Sequence, residues 1–429
     1  MLGANTLAGW LAHLEQLHPK TIELGLDRVN AVKSRLSLEF SIPVITVGGT
    51  NGKGSSCAML EAILTSAGYK VGLYTSPHLL HYNERVRIAS QAVPDDALCL
   101  AFAAVESARG EISLSYFEFG TLAALWLFRQ EGVEAMILEV GLGGRLDAVN
   151  ILDADCAIVT SVDLDHMDYL GDDRESIGFE KAGIFRSGKA AICVDRSPPH
   201  RLLEQAEEKQ AYLLRIGQDF GVEKEDGRQW RYWSRNGWRF SLPIPRLRGD
   251  YQLDNASGCI AALESLKTRL PVSPDNIRSG LLAAHVPGRF QVLTNQVAGR
   301  PLAILDVAHN PHAARALASN LHQMATAGKK IAVFAMLADK DISGVIEAMR
   351  AEVDLWLVAP IMQPRGADAA LLRDCLRHAG VMEVQVFPDI KSAWARACQI
   401  AGDGDRIAAF GSFHTVAEVM QQENGSNGQ

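Results

Sequence analysis

Residues 44–56 read VITVGGTNGKGSS, an apolar strand that runs through a glycine-rich turn into a helix, with one lysine, Lys53, inside the turn. Such a turn aims several backbone N–H groups, and the positive end of the helix behind it, at anionic oxygens. A lysine ammonium adds a full charge for the outer phosphates of a nucleotide triphosphate. The spacing is not that of the common P-loop, which has four residues between its glycines and Ser or Thr directly after the lysine. Here Gly49, Thr50 and Asn51 alone separate Gly48 from Gly52, and Gly54 follows Lys53 before Ser55 and Ser56. From the pattern alone, a glycine-rich turn without a ligand stays open as the other reading.

Outward from this turn, short apolar runs alternate with amphipathic ones. The strand candidates are 44–47, 71–74, 135–140, 156–161 and 190–194. Between them lie helical patterns such as 55–67, where Met59 with Ile63 and Leu60 with Leu64 repeat at i, i+4. This alternation predicts an α/β fold with a P-loop-type, mainly parallel sheet covered on both faces, whose ligands gather where the strands end. Residues 229–242 carry Trp230, Tyr232, Trp233, Trp238 and Phe240 around Asn236 and Gly237, which predicts a β-hairpin with packing aromatics. A second alternating series follows, with strands at 302–307, 331–335, 355–358, 384–387 and 406–410. Asn295, Gly299 and Pro301 mark a linker, so the expected domains are 1–295, an ATPase domain, and 296–429, a smaller Rossmann-like α/β domain. The terminal ENGSNGQ is expected to be disordered.

At 429 residues, with 48% hydrophobic and 21% charged residues, the chain has the composition of a globular protein with an ample core. Its net charge of −8 argues against a nucleic-acid partner. No window approaches 18 uninterrupted apolar residues and the N-terminus lacks a signal-peptide pattern, so no membrane role and a cytoplasmic location are expected, as a monomer. The seven cysteines form no CxxC pair and read as buried small hydrophobes.

Three further strand ends carry polar groups beside the lysine turn. They are Ser76 in Thr75-Ser76-Pro77-His78, Glu139 at the head of Val140-Gly141-Leu142-Gly143-Gly144, and His166 among Asp163, Asp165 and Asp168. An ATP-handling site needs hard oxygen ligands for Mg²⁺, usually one or two from the protein. Glu139, after Met136-Ile137-Leu138, suits that need. Taken singly, Ser76 also fits a turn start, His166 a satisfied surface histidine, and Glu139 a surface acid.

The segments VGGTNGKGSS, YTSPHLLHYNERVRI, YFEFGTLAALW, LEVGLGGRLDAVNI, SVDLDHMDYLG, EKAGIFR, PGRFQV, LDVAHNPHAA and FGSFHTVAEVM, with KTIELGLDRV before them, span nearly the whole chain in order. Together they resemble the bacterial dihydrofolate synthase and folylpolyglutamate synthase family of the Mur ligase superfamily. The resemblance implies an ATP-dependent ligase that adds L-glutamate to dihydropteroate and to reduced folates through an acyl phosphate. It implies that Thr50, Asn51, Gly52 and Lys53 hold the ATP phosphates. Two Mg²⁺ sites are implied, one on Ser76 and Glu139 and one on His166 with Lys181, which the family carries as a carbamate. Without the resemblance, Lys181 reads as a solvated helix lysine.

Further along, Asn255, Arg289 and Asp306 match family ATP contacts, and His309 is a candidate near the reacting amine. Because Asp306 and His309 come from the second domain, ATP is expected between domains. Glu23, Leu24 and Gly25, then Ser115, Tyr116, Phe117 and Glu118, then Leu146, Asp147 and Ala148 match the loops that contact dihydropteroate. Taken alone, the aromatics among them read as helix core. Two other readings are weighed here. A ligase of cell-wall peptide synthesis shares the chemistry, but only the short segment before Pro43 precedes the ATP strand, with no large nucleotide-sugar domain. A non-catalytic nucleotide-binding module of the GTPase kind would want a guanine-reading NKxD motif, and Ala338-Asp339-Lys340-Asp341 does not supply it.

Overall fold

The computed structural model describes residues 6–20, 23–225, 228–237, 239–293, 301–324 and 328–426. The chain divides into two compact units, Met1–Arg246 with Gln252–His285, and Leu247–Tyr251 with Val286–Gln429. The boundary expected between residues 295 and 296 lies outside the described residues.

The first unit is built on eight strands: β1 (Val44–Gly48), β2 (Val71–Tyr74), β3 (Val86–Ile88), β4 (Gln91–Ala92), β5 (Ala135–Glu139), β6 (Cys156–Val159), β7 (Ala190–Cys193) and β8 (Tyr212–Arg215). Their order across the sheet is β4-β3-β2-β5-β1-β6-β7-β8. Pairing is parallel from β2 through β8, and β3 and β4 add an antiparallel edge. Every residue of β1, β2, β5 and β6 is buried, as expected for strands covered on both faces. The expected strands of this series are all present, although 156–161 stops at Val159, where the chain turns off to meet the loop after β1.

Strand order places the chemistry. The chain leaves β1 for β2 on one side and leaves β5 for β6 on the other, so β1 lies at the reversal where a crevice opens outside the carboxyl ends. The register pairs Val47 with Glu139 and with Ile158, and Tyr74 with Leu138. Val47, Glu139 and the residue after Tyr74 therefore stand at one height, with Gly48 the next residue beyond.

A separate three-stranded antiparallel sheet comprises β9 (Phe220–Lys224), β10 (Gln229–Ser234) and β11 (Arg239–Pro243). The hairpin of β10 and β11 is the one expected, and Trp230 and Tyr232 are fully buried on its inward face. Trp238 lies outside the described residues.

The second unit carries six strands, β12 (Gln291–Leu293), β13 (Leu302–Asp306), β14 (Lys330–Phe334), β15 (Leu355–Val358), β16 (Val384–Val386) and β17 (Arg406–Phe410), in the order β12-β13-β17-β14-β15-β16. All pairs are parallel except β12 with β13. Phe334, Trp356 and Phe410 form its aromatic centre, with ring centroids 5.2–5.9 Å apart and two of the three contacts edge-on.

Two expectations are corrected. The terminal helix Phe413–Ser426 runs through Glu423, Asn424, Gly425 and Ser426, so the first part of ENGSNGQ is helical. The amphipathic run before it carries the helix past the polar residues, and 427–429 lie outside the described residues. Of the cysteines, Cys57, Cys156, Cys193 and Cys259 are buried, whereas Cys99 and Cys375 are half-buried and Cys398 is exposed. These three lie in helices that leave part of their surface to solvent.

The helix Lys53–Ser66 packs against the helix Pro274–Ala283 through Gly280, where an added Cβ would sit 2.5 Å from the Ile63 Cα. Backbone cannot yield as a side-chain tip can. Gly280→Val is expected to lower the unfolding free energy by about 1–3 kcal/mol through overpacking, read as a lower urea midpoint.

Candidate active site

The loop after β1 owes its shape to two glycines at positive φ, Gly49 at 143° and Gly52 at 89°. A side chain at Gly49 would overlap the Thr160 hydroxyl, and one at Gly52 would stand 2.9 Å from Asn255 Oδ1. The residues after β6 pin the loop. Thr160 Oγ1 donates to the Asn51 carbonyl at 2.6 Å, Asn51 N–H donates to Ser161 Oγ at 3.0 Å, and Thr50 N–H donates to the Ser161 carbonyl at 2.8 Å. Thr50 Oγ1 both donates to the Asp163 carbonyl and accepts from its N–H, each at 3.0 Å. Lys53 curls over the loop and donates from Nζ to the carbonyls of Gly49 (2.9 Å) and Thr50 (3.2 Å). The helix that follows starts at Gly52 with no side-chain cap, which leaves its first N–H groups for an anion.

Glu139 is 4% exposed and accepts the Ser76 N–H at 3.1 Å, so the two residues expected to share a metal stand side by side. Gly54 lies beside this pair, where an added Cβ would be in ordinary contact at 3.8 Å from Glu139 Oε1. Among the described residues no three His, Cys, Asp or Glu side chains converge on one point. A donor set this small fits a hard cation that draws most of its ligands from phosphate and water, which is the habit of Mg²⁺.

Lys181 closes the helix Arg174–Ala182 and is 4% exposed, contrary to its reading as a solvated lysine. Gly144 and Gly183 produce that burial by close approach: an added Cβ at Gly144 would lie 3.0 Å from the Lys181 carbonyl, and one at Gly183 would overlap Arg145. Burial first, and then the charge of Lys53, push the Lys181 amine down to about 7, against the pull of Asp165 and Asp147. The uncharged form is thereby accessible near neutral pH. His166 sits in the left-handed region at φ 52° as the cap of a short helix, with Nε2 3.9 Å from Asp165 Oδ1.

The three segments expected to form the pterin side meet. Gly25 N–H donates to the Leu146 carbonyl at 3.4 Å, and Phe117 packs on Gly141 and lies 5.7 Å from the Tyr74 ring. Asp147 is buried and accepts from the N–H groups of Leu142 and Val149. Burial outweighs these bonds and pushes its carboxyl up to about 6. Ala148 follows in a buried turn and Leu24 lies half-buried beside Glu23.

Glu118 is committed to architecture. Its Oε2 accepts the Ser115 N–H in a capping box that starts the helix Tyr116–Gln130, and its Oε1 meets Arg28 at 3.1 Å. Glu23 pairs with His18, Lys20 and Arg28. Bonds from Lys20 and His18 hold its carboxyl below the usual range. Tyr116 is half-buried, with the Arg85 guanidinium 5.6 Å from its ring.

In the first unit, Asn255 Nδ2 donates to Gln252 Oε1 at 3.1 Å. In the second, Asp306 ends β13 with its carboxylate turned onto the N–H groups of Phe290 (2.7 Å) and Ala308 (2.8 Å), and burial raises its pKa. Arg289 lies over the Phe413 ring at 5.2 Å. His309 Nδ1 is 2.9 Å from the Val307 carbonyl; that oxygen only accepts, so Nδ1 is the donor of this bond. Sequence reasoning overlooked Gln252, Thr160 and Ser161. Gln252 had a signal, one helical turn before Asn255, but the loop anchors had none.

Residues 47–263 match the Mur ligase middle domain family and residues 288–413 the Mur ligase, glutamate ligase domain family. The chain is 48% identical over 419 residues, 97% of its length and 96% of the relative's, to the dihydrofolate synthase/folylpolyglutamate synthase of Escherichia coli K12. It resembles the solved E. coli FolC in complex with DHPP and ADP, with a TM-score of 0.93, 46% identity and full coverage of both chains. A bifunctional folylpolyglutamate synthase/dihydrofolate synthase with Mn, AMPPNP and L-glutamate bound is similar at a TM-score of 0.90, 47% identity and 99% coverage of each chain.

The Gly52 position generates a stability prediction. Gly52→Ala forces a Cβ into both a left-handed backbone and the Asn255 amide, and is expected to cost about 1–3 kcal/mol in chemical denaturation.

Proposed function

The chain belongs to the dihydrofolate synthase/folylpolyglutamate synthase family of Mur ligases, and from this membership and the crevice at Lys53 and Glu139 we propose how its residues carry the reaction. The enzyme adds L-glutamate to dihydropteroate, giving dihydrofolate, and to the γ-carboxylate of reduced folates. The observation that carries the assignment is the β1–β5–β6 register, which sets a lysine-bearing anion loop level with a buried carboxylate. A cytoplasmic location accords with ATP as the energy source, and among the described residues no helix is long and apolar enough to cross a membrane.

A carboxylate does not form an amide directly, because oxide is a poor leaving group. The substrate carboxylate oxygen attacks the γ-phosphorus of ATP, the bond to ADP breaks, and an acyl phosphate results. The uncharged amine of L-glutamate then adds to the carbonyl carbon, and the tetrahedral intermediate expels phosphate and loses the amine proton. We assign Thr50, Asn51, Gly52 and Lys53 to the phosphates, where N–H groups and the ammonium offset charge on the transferring group. Ser76 and Glu139 would hold one Mg²⁺, and His166 with carbamylated Lys181 a second. Bound there, Mg²⁺ supplies charge neutralisation and in-line orientation. Lys181 suits carbamylation because an uncharged, buried amine is the form that combines with CO₂, and the product offers oxygen donors where an ammonium has none.

Phe117 and Asp147 are assigned to the pterin, the ring as an apolar wall and the carboxyl as a partner for its N–H edge. Glu23, Leu24, Gly25, Ser115, Tyr116, Leu146 and Ala148 shape the surrounding loops, and Glu118 supports them through Arg28. On the second unit, Arg289 is assigned to triphosphate charge, Asp306 to ribose hydroxyls, and His309 Nε2 to the proton of the glutamate amine.

ADP release is expected to require L-glutamate together with either dihydropteroate or tetrahydrofolate in a coupled assay. Lys53→Ala is expected to lower turnover on both acceptors together by about a hundredfold or more, the scale of removing one preorganised charge-stabilising donor. Full activity in that variant would refute the assignment.

A further inference from the structure

We propose that the cleft between the edge strand β8 and the three-stranded sheet is a binding site for a small alkylammonium ion, held by the buried carboxylate of Glu264. The cleft lies in the first unit and encloses about 110 Å³. Tyr212, Phe220 and Tyr232 line it, together with Ala261 and Glu264, one turn apart on the helix Asp250–Ser265. Glu264 is 4% exposed. Its Oε2 accepts the Tyr232 hydroxyl and its Oε1 the Ser234 hydroxyl, each at 3.0 Å. Among the described residues, no lysine, arginine or histidine forms an ion pair with it. The other charges at the cleft answer each other: Arg235 reaches Asp219 at 3.0 Å, and Asp219 Oδ2 accepts the Arg215 N–H.

A carboxylate taken out of water needs a cation or a full set of donors. Two hydroxyls fill one lone pair on each Glu264 oxygen and leave the others unspent in a residue that lines the cleft. Burial and the charge of Glu264 hold the Tyr232 hydroxyl well above its usual range, so it keeps its proton and donates. Neither hydroxyl brings positive charge. An anion is repelled by this carboxylate, and a neutral apolar guest leaves it uncompensated. An ammonium head supplies charge and N–H donors together, and the aromatic residues favour both a cation and an alkyl chain. One water takes about 30 Å³ of the liquid, so the cleft admits a head with a short chain. Glu264 is nine residues beyond Asn255 on the same helix, about 14 Å along its axis, which sets this site apart from the crevice at Lys53.

The test is saturation-transfer NMR of the full chain with n-butylammonium chloride and with n-butanol, its neutral counterpart, titrated at constant ionic strength. Wild type, Glu264→Gln and Tyr212→Ala are compared. Wild type is expected to bind the ammonium about tenfold tighter than the alcohol, the scale of one hydrogen bond to a charged group. Glu264→Gln keeps the shape and removes the charge, and is expected to lower ammonium affinity about tenfold with alcohol affinity unchanged. Tyr212 stands on the edge strand, 57% exposed, so Tyr212→Ala leaves the core intact. It is expected to lower the ammonium:alcohol affinity ratio about two- to fivefold, and it decides the matter should the Gln variant not fold.

No binding of the ammonium, equal affinity for ammonium and alcohol, or an ammonium affinity untouched by Glu264→Gln would each overturn the inference. So would displacement of n-butylammonium by potassium chloride but not by sodium chloride, which would make the cleft an inorganic cation site. Lys53→Ala is expected to bind the ammonium as wild type does, and loss of binding there would place the amine in the ligase crevice and overturn the inference as well.

Discussion

The parallel pairing of β1 with β5 on one side and β6 on the other is the constraint on which the rest of the first unit depends. Hydrogen bonds fix the register to a single residue, and a slip would turn every side chain to the opposite face. In the observed register Val47 faces both Glu139 and Ile158, so a glycine loop, a carboxylate and a set of hydroxyl anchors leave the sheet together. Thr160 and Ser161 then hold Asn51, and Asp163 holds Thr50. The anion loop is thus shaped by its own glycines and held by the chain that leaves the neighbouring strand β6.

The electrostatics follow from what that crevice encloses. Lys53 and Lys181 are close enough to depress the latter's basicity, and both lie in a protein whose net charge is −8. The burial of Lys181 and the charge of Lys53 together disfavour the ammonium form of Lys181. The charge of Lys53 is offset when phosphate oxygens arrive, which places that favourable interaction in the bound and reacting states. Lys53 is held meanwhile on two carbonyls of its own loop, partners that a phosphate can replace.

The pterin side illustrates the difference between a residue in a site's loops and a residue that meets a ligand. Glu118 lies in the expected segment, but both its oxygens are used, one in the capping box with Ser115 and one on Arg28. Its effect on a ligand passes through the position of the helix that carries Phe117. Asp147 also accepts backbone N–H groups, yet it lies beside Phe117 across Gly141, where no Cβ intervenes. The absence of side chains at Gly144 and Gly183 is what lets the Asp147 loop and the Lys181 helix approach so closely.

Periodicity was enough to read the strands around the site, because doubly covered parallel strands are continuous apolar runs and amphipathic helices separate them. The turn 44–56, Glu139 after three apolar residues, and the hairpin around Trp230 and Tyr232 were legible for the same reason: each is a local pattern with a local cause. Strand order was not legible, nor were the antiparallel additions β3, β4, β9 and β12, the burial of Lys181, or the hydrogen bonds that join Ser55, Gln252 and Asn255. Each of these arises where segments far apart in the chain meet, so no window of sequence contains both partners. The sequence by itself determined which groups end which strands. Only the tertiary structure decided that they stand at one height and that a lysine on a polar helix is deprived of water, because register and desolvation are properties of neighbours brought together by folding.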